Sequence, residues 1–227
     1  MFTYDQYLDI INIALAEKCS LFIRHDVDFS PRKAVQMAEI ELNSGIQSTY
    51  YILLSSPYYN FLDKNTMEMF RTIREMGHQI GLHYDLSIKL GATDKQLIDE
   101  IIIQIGLLEY HIGPLDGMSV TSHKPFTGKD ISNRMCNMLK QIDVYCPTHD
   151  KRYKYIADSG HNWRYDPILA VLGNKLIHIN THPEWYNDEE RNMEECLHGL
   201  NLPAQSDKLI EKEIKHIKEY LVRIKGK

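Results

Sequence analysis

The sequence predicts an α/β fold built on a parallel sheet, either open or closed into a barrel. Short apolar runs typical of strands alternate along the chain with segments of helical periodicity. The strand-like runs repeatedly end in Asp or His, and parallel α/β folds place functional groups at that edge of the sheet. The chain has 227 residues, 43% of them hydrophobic, which is enough for one sizeable core. We therefore expect residues 1–227 to form a single domain.

The first strand and the helix after it have the clearest pattern. The apolar run Leu21–Ile23 leads into the polar stretch Arg24–Asp28. Ser30 and Pro31 then have the pattern of a helix N-cap and a first helical position. A second strand-like run at Ser48–Leu54 completes a βαβ unit.

Later segments repeat this alternation of strands and helices. Capping boxes are predicted for Thr3 with Gln6 and for Thr93 with Gln96, and Asn65 or Thr66 is expected to cap a helix between them. Further strands are predicted at His78–Leu82, Met118–Ser122 and Leu176–Asn180, with short ones near Val144 and Tyr155, and further helices at Asp130–Gln141 and along Ile210–Ile224.

Composition excludes several classes of protein. The net charge is -5, from 26 Lys+Arg against 31 Asp+Glu, so nucleic acid is not an expected partner. The 4 cysteines are scattered without Cys-x-x-Cys spacing, which argues against a zinc knot and a disulfide framework. We expect no membrane span, because charges interrupt every apolar run. With no signal-like start, we expect a cytoplasmic protein.

Two carboxylates, Asp26 and Asp28, end the first predicted strand. Side chains alternate along a strand, so both point to one face, with their Cα atoms about 6.5 to 7 Å apart. Such a pair suits one metal ligand beside one general base. The structural alternative is a pair of helix-capping or solvated acids.

Histidines follow three other predicted strands, at His83, His123 and His182. A single loop histidine is usually structural. Because the carboxyl ends of parallel strands converge, however, we expect these three to surround one pocket with Asp26 and Asp28.

Three motifs in order carry a resemblance to a known family. His25–Asp28, Gly77–His83 and Thr181–Pro183 resemble motifs of the polysaccharide deacetylase family, the NodB-homology domain of carbohydrate esterases. The first motif is similar to the branch with Asp-x-Asp instead of adjacent aspartates. The resemblance extends from about Leu21 to Trp185. It implies a deformed (β/α) barrel that binds one divalent metal, usually zinc, and hydrolyses an N-acyl or O-acyl group on a sugar.

The resemblance implies roles for individual residues. Asp26 matches the general base, Asp28 the metal-binding aspartate and His83 the first histidine of the His-x-x-x-His metal motif. His182 matches the general acid. The position of the second motif histidine is Ser87, so the family's Asp-His-His set is incomplete by position.

A replacement for the missing metal ligand is predicted at His123, on the next strand edge. A water molecule or Asp85 is the alternative. Zinc prefers imidazole, and a catalytic zinc site needs three protein ligands.

Further residues are predicted to bind substrate. Lys124 precedes Pro125, where the family's third motif has an Arg. The segment Asp158–Arg164 resembles the family's loop that supplies an aromatic wall, here Trp163, and a charge. We therefore expect substrate contacts from Lys124, Asp158, Trp163 and Arg164.

Three basic residues and two histidines need a separate assignment. Buried Asp26 requires a cation nearby, and Arg24, Lys124 or Arg164 can supply it. His25 and His78 are expected to be structural, because one points away from the Asp face and the other begins a strand.

The combined expectation is a zinc-dependent hydrolase that removes an N-acyl group, acetyl or formyl, from a sugar of a surface polysaccharide or its precursor. One alternative is a carbohydrate-binding relative that has lost catalysis with the second histidine. Another is a hydrolase of a small cyclic amide or ureide.

Overall fold

The computed structural model describes residues 2–85, 87, 91–115, 119–123, 129–141, 144–147, 150–200, 202 and 207–225. Its sheet contains six strands, all parallel, in the order β4-β3-β2-β1-β6-β5. The strands are β1 Ser20–Val27, β2 Thr49–Ile52, β3 Gln79–Tyr84, β4 Val120–Ser122, β5 Lys154–Ala157 and β6 Leu176–Thr181.

Helices connect and cover these strands. They are α1 Tyr4–Ala16, α2 Pro31–Asn43, α3 Lys64–Glu75, α4 Asp94–Ile112, α5 Lys129–Lys140, α6 Pro167–Gly173, α7 Met193–His198 and α8 Asp207–Lys225, with a 3-10 turn at Pro183–Trp185. No helix within the described ranges combines the length and the apolar character that crossing a membrane requires.

The strand order is that of a barrel. Strands β1 to β4 follow one another in chain order, and β6 returns to pair with β1 on its other side, with β5 beyond it. An isolated parallel bridge between Ser119 and Tyr145 extends the β4 edge. Among the described residues no ladder joins Tyr145 to β5. The predicted fold class is confirmed: parallel strands with surrounding helices form a (β/α) barrel that is deformed by an open seam.

Alternation along β1 gives its two faces different neighbours. His25 contacts Glu41 of α2 on one face. Arg24 and Asp26 lie on the other face, the inner face of the curved sheet, where Asp26 meets Asn180 of β6. The barrel interior is therefore polar next to the central strand.

A close approach inside the barrel requires glycine at position 81. A Cβ atom there would lie 2.5 Å from Cε1 of Tyr51, the residue that pairs with Gly81 in the β2–β3 ladder. The Tyr51 ring is fully buried, and its hydroxyl is hydrogen-bonded to Ser119 Oγ. This ring therefore fills the interior beside Arg24, whose guanidinium lies 5.6 Å from the ring centroid.

The predicted helix starts are mostly confirmed. Both capping boxes form, and the Ser30 side chain accepts a hydrogen bond from the backbone N–H of Lys33. The predicted cap of α3 is wrong, because Asp63 occupies that position and accepts hydrogen bonds from the N–H groups of Asn65 and Thr66, at 3.0 and 3.1 Å. An aspartate carboxylate reaches two N–H groups, so it is the better cap. Neither α6 nor α7 is predicted from the sequence.

Candidate metal centre and active site

The carboxyl ends of the strands bring together side chains that are far apart in the sequence. Asp28 follows β1, His83 lies in β3 and His123 follows β4. One ligand atom from each of these residues lies within 4.8 Å of the other two. The structure therefore brings the three predicted metal ligands to one point, although their role as ligands stays a prediction.

The three donor atoms form a nearly equilateral triangle. Asp28 Oδ1 lies 3.3 Å from His123 Nδ1 and 3.5 Å from His83 Nε2. The two imidazole nitrogens are 3.2 Å apart. The backbone N–H of His123 donates to the carbonyl oxygen of Tyr84 at 2.7 Å, which extends the pairing of β3 and β4 and fixes His123 beside His83.

The neutral form of His83 suits a metal ligand. Its Nδ1 lies 3.2 Å from the carbonyl oxygen and 2.7 Å from the hydroxyl oxygen of Thr121. Because a carbonyl oxygen only accepts, Nδ1 carries the proton and Nε2 turns its lone pair toward Asp28. Burial lowers the pKa of His83 to about 4, despite the nearby Asp26 and Asp28 carboxylates, so the ring is neutral at pH 7.

The triangle fits a divalent cation. Ligand distances of 2.0–2.2 Å in tetrahedral zinc sites imply edges of about 3.3 to 3.6 Å between ligand atoms. The observed edges are 3.2, 3.3 and 3.5 Å. Asp28 Oδ1 is buried and makes no well-directed hydrogen bond with any described residue. Burial alone would raise the pKa of Asp28, but His123 and His83 hold it below its usual range, so the group is a carboxylate. One carboxylate with two imidazoles is a donor set that zinc accepts.

The second carboxylate, Asp26, is held by a guanidinium and an amide. Arg24 Nη2 donates to Asp26 Oδ2 at 2.7 Å, and Asn180 Nδ2 donates to the same oxygen at 3.1 Å. The other oxygen, Oδ1, is buried and has no hydrogen-bond partner among the described residues. Burial would raise the pKa of Asp26, but Arg24, with His83 and His182, lowers it overall. Asp26 is therefore an ionised base with one available oxygen.

Arg24 is the cation that the sequence analysis required beside Asp26. Of the two other candidates, Arg164 is exposed and hydrogen-bonded to the Tyr220 hydroxyl, and Lys124 lies outside the described residues. The contact between Arg24 and Asp26 follows from their i, i+2 spacing on one face of β1.

His182 is oriented by Asp158, which follows β5. His182 Nδ1 donates to Asp158 Oδ1 at 2.6 Å, and the backbone N–H of His182 donates to Oδ2 at 3.2 Å. The Tyr186 hydroxyl also donates to Oδ2, at 3.0 Å. Burial would lower the pKa of His182, but Asp158 raises it to about 10. His182 is therefore an imidazolium at neutral pH, and its Nε2 lies 3.9 Å from Asp26 Oδ2.

The residues predicted to bind substrate have other contacts. Asp158 is 0% exposed. Its carboxylate contacts His182, and this contact is not predicted from the sequence. Trp163 is half-buried, and its ring lies parallel to that of Phe2 at 6.5 Å. Substrate contacts from Asp158, Trp163, Arg164 and Lys124 stay a prediction.

The alternative metal ligand, Asp85, is not part of the donor group among the described residues. Asp85 Oδ1 instead accepts a hydrogen bond from the backbone N–H of Ser87, at 2.8 Å. Ser87 is exposed. Of the candidates within the described part of the chain, His123 lies beside Asp28 and His83, whereas Asp85 and Ser87 do not belong to the donor group.

Sequence reasoning missed Asn180 and Tyr186, which hold Asp26 and Asp158. Both lie within four positions of His182, yet no motif singles them out. Asn180 pairs with Arg24 in the ladder between β1 and β6. Only the strand order could have identified it, because β6 lies beside β1 in the sheet although β1 and β6 are far apart in the sequence.

Comparisons with known proteins give matches only among solved structures. No protein-family model and no curated protein matches the sequence. The Xyl-CE4 domain of a multidomain xylanase from the hindgut metagenome of Trinervitermes trinervoides is 14% identical, with a TM-score of 0.47 over 72% of this chain and 73% of that chain. A polysaccharide deacetylase from Bacillus cereus is 12% identical, with a TM-score of 0.49 over 78% and 93% of the two chains.

A CE4 family pseudoenzyme from Bacillus anthracis is 9% identical, with a TM-score of 0.48 over 89% of this chain and 61% of that chain. Because these TM-scores are below 0.5 and the identities are low, the likenesses carry no information on the reaction. The solved structures that it resembles bear the names of CE4 or polysaccharide deacetylase proteins, the family whose motifs its sequence resembles.

Proposed function

We propose that the protein is a metal-dependent hydrolase that removes an N-acyl group from a sugar. The observation that supports it most is a buried carboxylate next to the donor triangle with a buried imidazolium next to that carboxylate. Asp26 Oδ2 lies 3.8 Å from His83 Nε2 and 3.9 Å from His182 Nε2. Amide hydrolysis needs such a base and such an acid within reach of one scissile bond.

In this proposal Asp28, His83 and His123 hold the divalent cation, and zinc is the metal that the donor set favours. When bound, the cation supplies Lewis-acid polarisation of the acyl carbonyl and lowers the pKa of a water molecule at the site.

Asp26 acts as the general base. Its Oδ1 is available, while Arg24 and Asn180 hold Oδ2 and fix the orientation of the carboxylate. The base takes the proton of the attacking water molecule. Arg24 keeps the carboxylate ionised in a buried position, because its positive charge offsets the effect of burial on the pKa of Asp26.

His182 acts as the general acid. The scissile C–N bond breaks only if the leaving nitrogen receives a proton. His182 holds that proton at Nε2, since Nδ1 is committed to Asp158 at 2.6 Å. Asp158 therefore fixes both the ring orientation and the charge of the acid.

The substrate in this proposal is an N-acetyl or N-formyl sugar of a surface polysaccharide or its precursor, and the cytoplasm is the proposed compartment. The choice of a sugar comes from the motif resemblance of His25–Asp28, Gly77–His83 and Thr181–Pro183. The geometry of the site supports only the type of reaction, which is metal-dependent hydrolysis of an amide.

The test is hydrolysis of an N-acetylglucosamine oligomer by metal-depleted protein before and after addition of one equivalent of zinc. We expect turnover only after zinc addition, with about one zinc bound per chain by elemental analysis. His83→Ala should lose both zinc and turnover. The matched control is His198→Ala, because His198 is an exposed histidine of α7 that contacts Glu211 of α8. Equal turnover by the metal-depleted and the zinc-loaded protein would refute the proposal.

A carbohydrate-binding protein without catalysis is the second candidate. The observation that favours it is Ser87, which stands where the family motif has its second histidine. If His123 does not replace that ligand, the protein should bind less than a tenth of an equivalent of zinc, even with excess metal, and still bind the sugar oligomer. A small cyclic amide, assayed in parallel, tests the third possibility.

A further inference from the structure

The N-terminal residues Phe2–Tyr4 lie against the segment that follows His182. The backbone N–H of Tyr4 donates to the carbonyl oxygen of Asn187 at 3.1 Å, and the N–H of Asn187 donates to the carbonyl oxygen of Phe2 at 3.3 Å. Thr3 and Asn187 form an isolated parallel bridge. Residues 2–4 are therefore attached by backbone hydrogen bonds to the part of the chain that carries Tyr186.

The Phe2 side chain contacts the loop after β5. Its ring stacks on His161, with the centroids 3.9 Å apart and an angle of 25° between the planes, and it lies parallel to Trp163 at 6.5 Å. It also meets the edge of Tyr186 at 6.0 Å. Phe2 is 7% exposed, so nearly the whole ring is used in these contacts.

The loop that Phe2 contacts has an unusual backbone. Gly160 and His161 both have positive φ, at 69° and 57°. A non-glycine residue in the left-handed region is disfavoured unless surrounding contacts hold it there. The stacked Phe2 ring is such a contact for His161.

Residues 2–4 contact two segments, the loop after β5 and the segment after His182. Each of them makes a hydrogen bond to Asp158. The loop begins at Asp158, and the N–H of Asn162 donates back to the Asp158 carbonyl oxygen at 3.2 Å. On the other side, Tyr186 donates its hydroxyl proton to Asp158 Oδ2 at 3.0 Å. Phe2 contacts His161 on the first side and Tyr186 on the second. Residues 2–4 thus connect the two segments that determine where Asp158 sits.

We propose that residues 2–4 form a positioning segment for the general acid: by stacking on His161 and pairing with Asn187, they hold Asp158 in contact with His182. The catalytic part of this inference rests on the proposed function. The structural part does not, because it concerns the contact between Asp158 and His182 itself.

The experiment compares wild type with Phe2→Ala, Phe2→Tyr and the control Phe61→Ala. Phe61 is also buried, at 4% exposed, but its ring packs on Phe70 and His111, which belong to α3 and α4. Phe2→Tyr keeps an aromatic ring that can stack on His161. Zinc content and thermal unfolding are measured for each variant, so that loss of folding is detected separately.

The first readout is amide hydrogen exchange in peptides covering residues 158–163 and 181–187. It reports the contact directly, because the His182 N–H donates to Asp158 Oδ2. We expect faster exchange in both peptides for Phe2→Ala, and wild-type exchange for Phe2→Tyr and Phe61→Ala. Unchanged exchange in Phe2→Ala would overturn the proposal.

The second readout is the kinetics of the zinc-loaded enzyme. A displacement of the acid on the order of 1 Å reduces turnover by about a hundredfold, so we expect kcat to fall by roughly tenfold to a hundredfold in Phe2→Ala with KM and zinc content unchanged. Phe2→Tyr should restore kcat. Faster exchange with an unchanged kcat would overturn the catalytic role.

The two readouts separate this inference from the proposed function. If the wild-type protein hydrolyses no acyl sugar, the proposed reaction is refuted. Faster exchange in Phe2→Ala would still support the structural link between residues 2–4 and the Asp158–His182 contact. If the wild type is active and exchange does not change, the reaction stands and the positioning segment is refuted.

Discussion

Two buried clusters of carboxylates and histidines lie on opposite faces of β1, and they differ in how their oxygens are satisfied. The Glu41 cluster contains Glu41 and its partners His25, His78, Ser48, Tyr7 and Tyr50. Glu41 Oε1 accepts hydrogen bonds from His25 Nε2, at 2.9 Å, and from the Tyr7 hydroxyl. Glu41 Oε2 accepts from the hydroxyls of Ser48, at 2.6 Å, and Tyr50, at 2.7 Å. No acceptor site of this carboxylate is left for a ligand.

The inner-face cluster is called the unsaturated cluster, because some of its carboxylate oxygens accept no well-directed hydrogen bond. It contains Asp26, Asp28, His83, His123 and His182. Asp26 Oδ1 and Asp28 Oδ1 are buried and make no well-directed hydrogen bond with the described residues, although Asp28 Oδ1 lies 3.3 Å from His123 Nδ1. Leaving such atoms unpaired in a dry interior is unfavourable unless a cation or a water molecule occupies the site. Burial and residue type are the same in both clusters, so neither distinguishes a structural cluster from a functional one. The two kinds of cluster are distinguished by whether hydrogen bonds already occupy the carboxylate oxygens.

The largest expected effect comes from Asp28→Ala, which removes a ligand from the unsaturated cluster. We expect loss of zinc and a fall in kcat of at least about a thousandfold, because the polarisation of the acyl carbonyl is lost. The metal-free protein should unfold at a lower temperature than wild type, because the contacts with His123 and His83 that lower the pKa of the Asp28 carboxyl are lost. Elemental analysis, the sugar assay and calorimetry test the three parts. Retention of stoichiometric zinc would contradict the assignment of Asp28.

The next effect comes from His182→Ala, which removes the acid and leaves the metal ligands intact. We expect kcat to fall by about a hundredfold to ten-thousandfold with normal zinc content. In wild type, activity should persist through neutral pH and decline as the pH rises through about 10, where His182 loses its proton. Asp158→Asn removes the charge that raises this pKa, so the decline should move to lower pH. An unchanged alkaline limb in Asp158→Asn would exclude His182 as the titrating acid.

The third effect tests the saturated cluster through Glu41→Ala. Removing the buried acceptor leaves His25, Ser48, Tyr7 and Tyr50 without their common partner, so we expect a loss of about 3 to 5 kcal/mol in the free energy of unfolding. Zinc binding by the folded fraction should be normal. Denaturant unfolding and elemental analysis measure the two quantities. Loss of zinc without loss of stability would mean that the two clusters have been assigned the wrong way round.

The sequence predicts the members of the unsaturated cluster because each lies at or just after the carboxyl end of a strand in a parallel fold. Asp26, Asp28, His83 and His182 lie at strand ends that the apolar runs already indicate, and His123 follows from the same rule. The Glu41 cluster was predicted only in part. His25 and His78 have structural contacts in it, but nothing in the sequence singles out Glu41 as their partner.

The contacts that the sequence could not predict depend on which strands are neighbours. Asp158 reaches His182 because β5 lies beside β6, and Asn180 reaches Asp26 because β6 lies beside β1. The stacking of Trp163 on Phe2 joins residues more than a hundred positions apart in the chain, and no local pattern encodes it. Residues at strand ends can therefore be located from the sequence, whereas the residues that orient them depend on the order of the strands in the sheet.

The smallest expected effect concerns Arg24, which partly satisfies the unsaturated cluster. Arg24→Gln removes the guanidinium 2.7 Å from Asp26 Oδ2 and leaves the Asn180 hydrogen bond in place. The pKa of Asp26 should rise, because burial is then opposed by fewer positive charges. We expect kcat to fall by about tenfold to a hundredfold at neutral pH with normal zinc content, and to recover as the pH is raised.

The matched control for Arg24→Gln is Arg152→Gln. Arg152 also pairs with an aspartate two positions away, Asp150 at 2.5 Å, but its side chain is 74% exposed. An exposed pair of this kind contributes little, since water screens it, so Arg152→Gln should have wild-type kcat. Equal effects of the two substitutions would show that the burial of Arg24 has no role. An effect of Arg24→Gln alone, with zinc retained, would show that the guanidinium acts on Asp26 and that its position inside the barrel is what makes the pair matter.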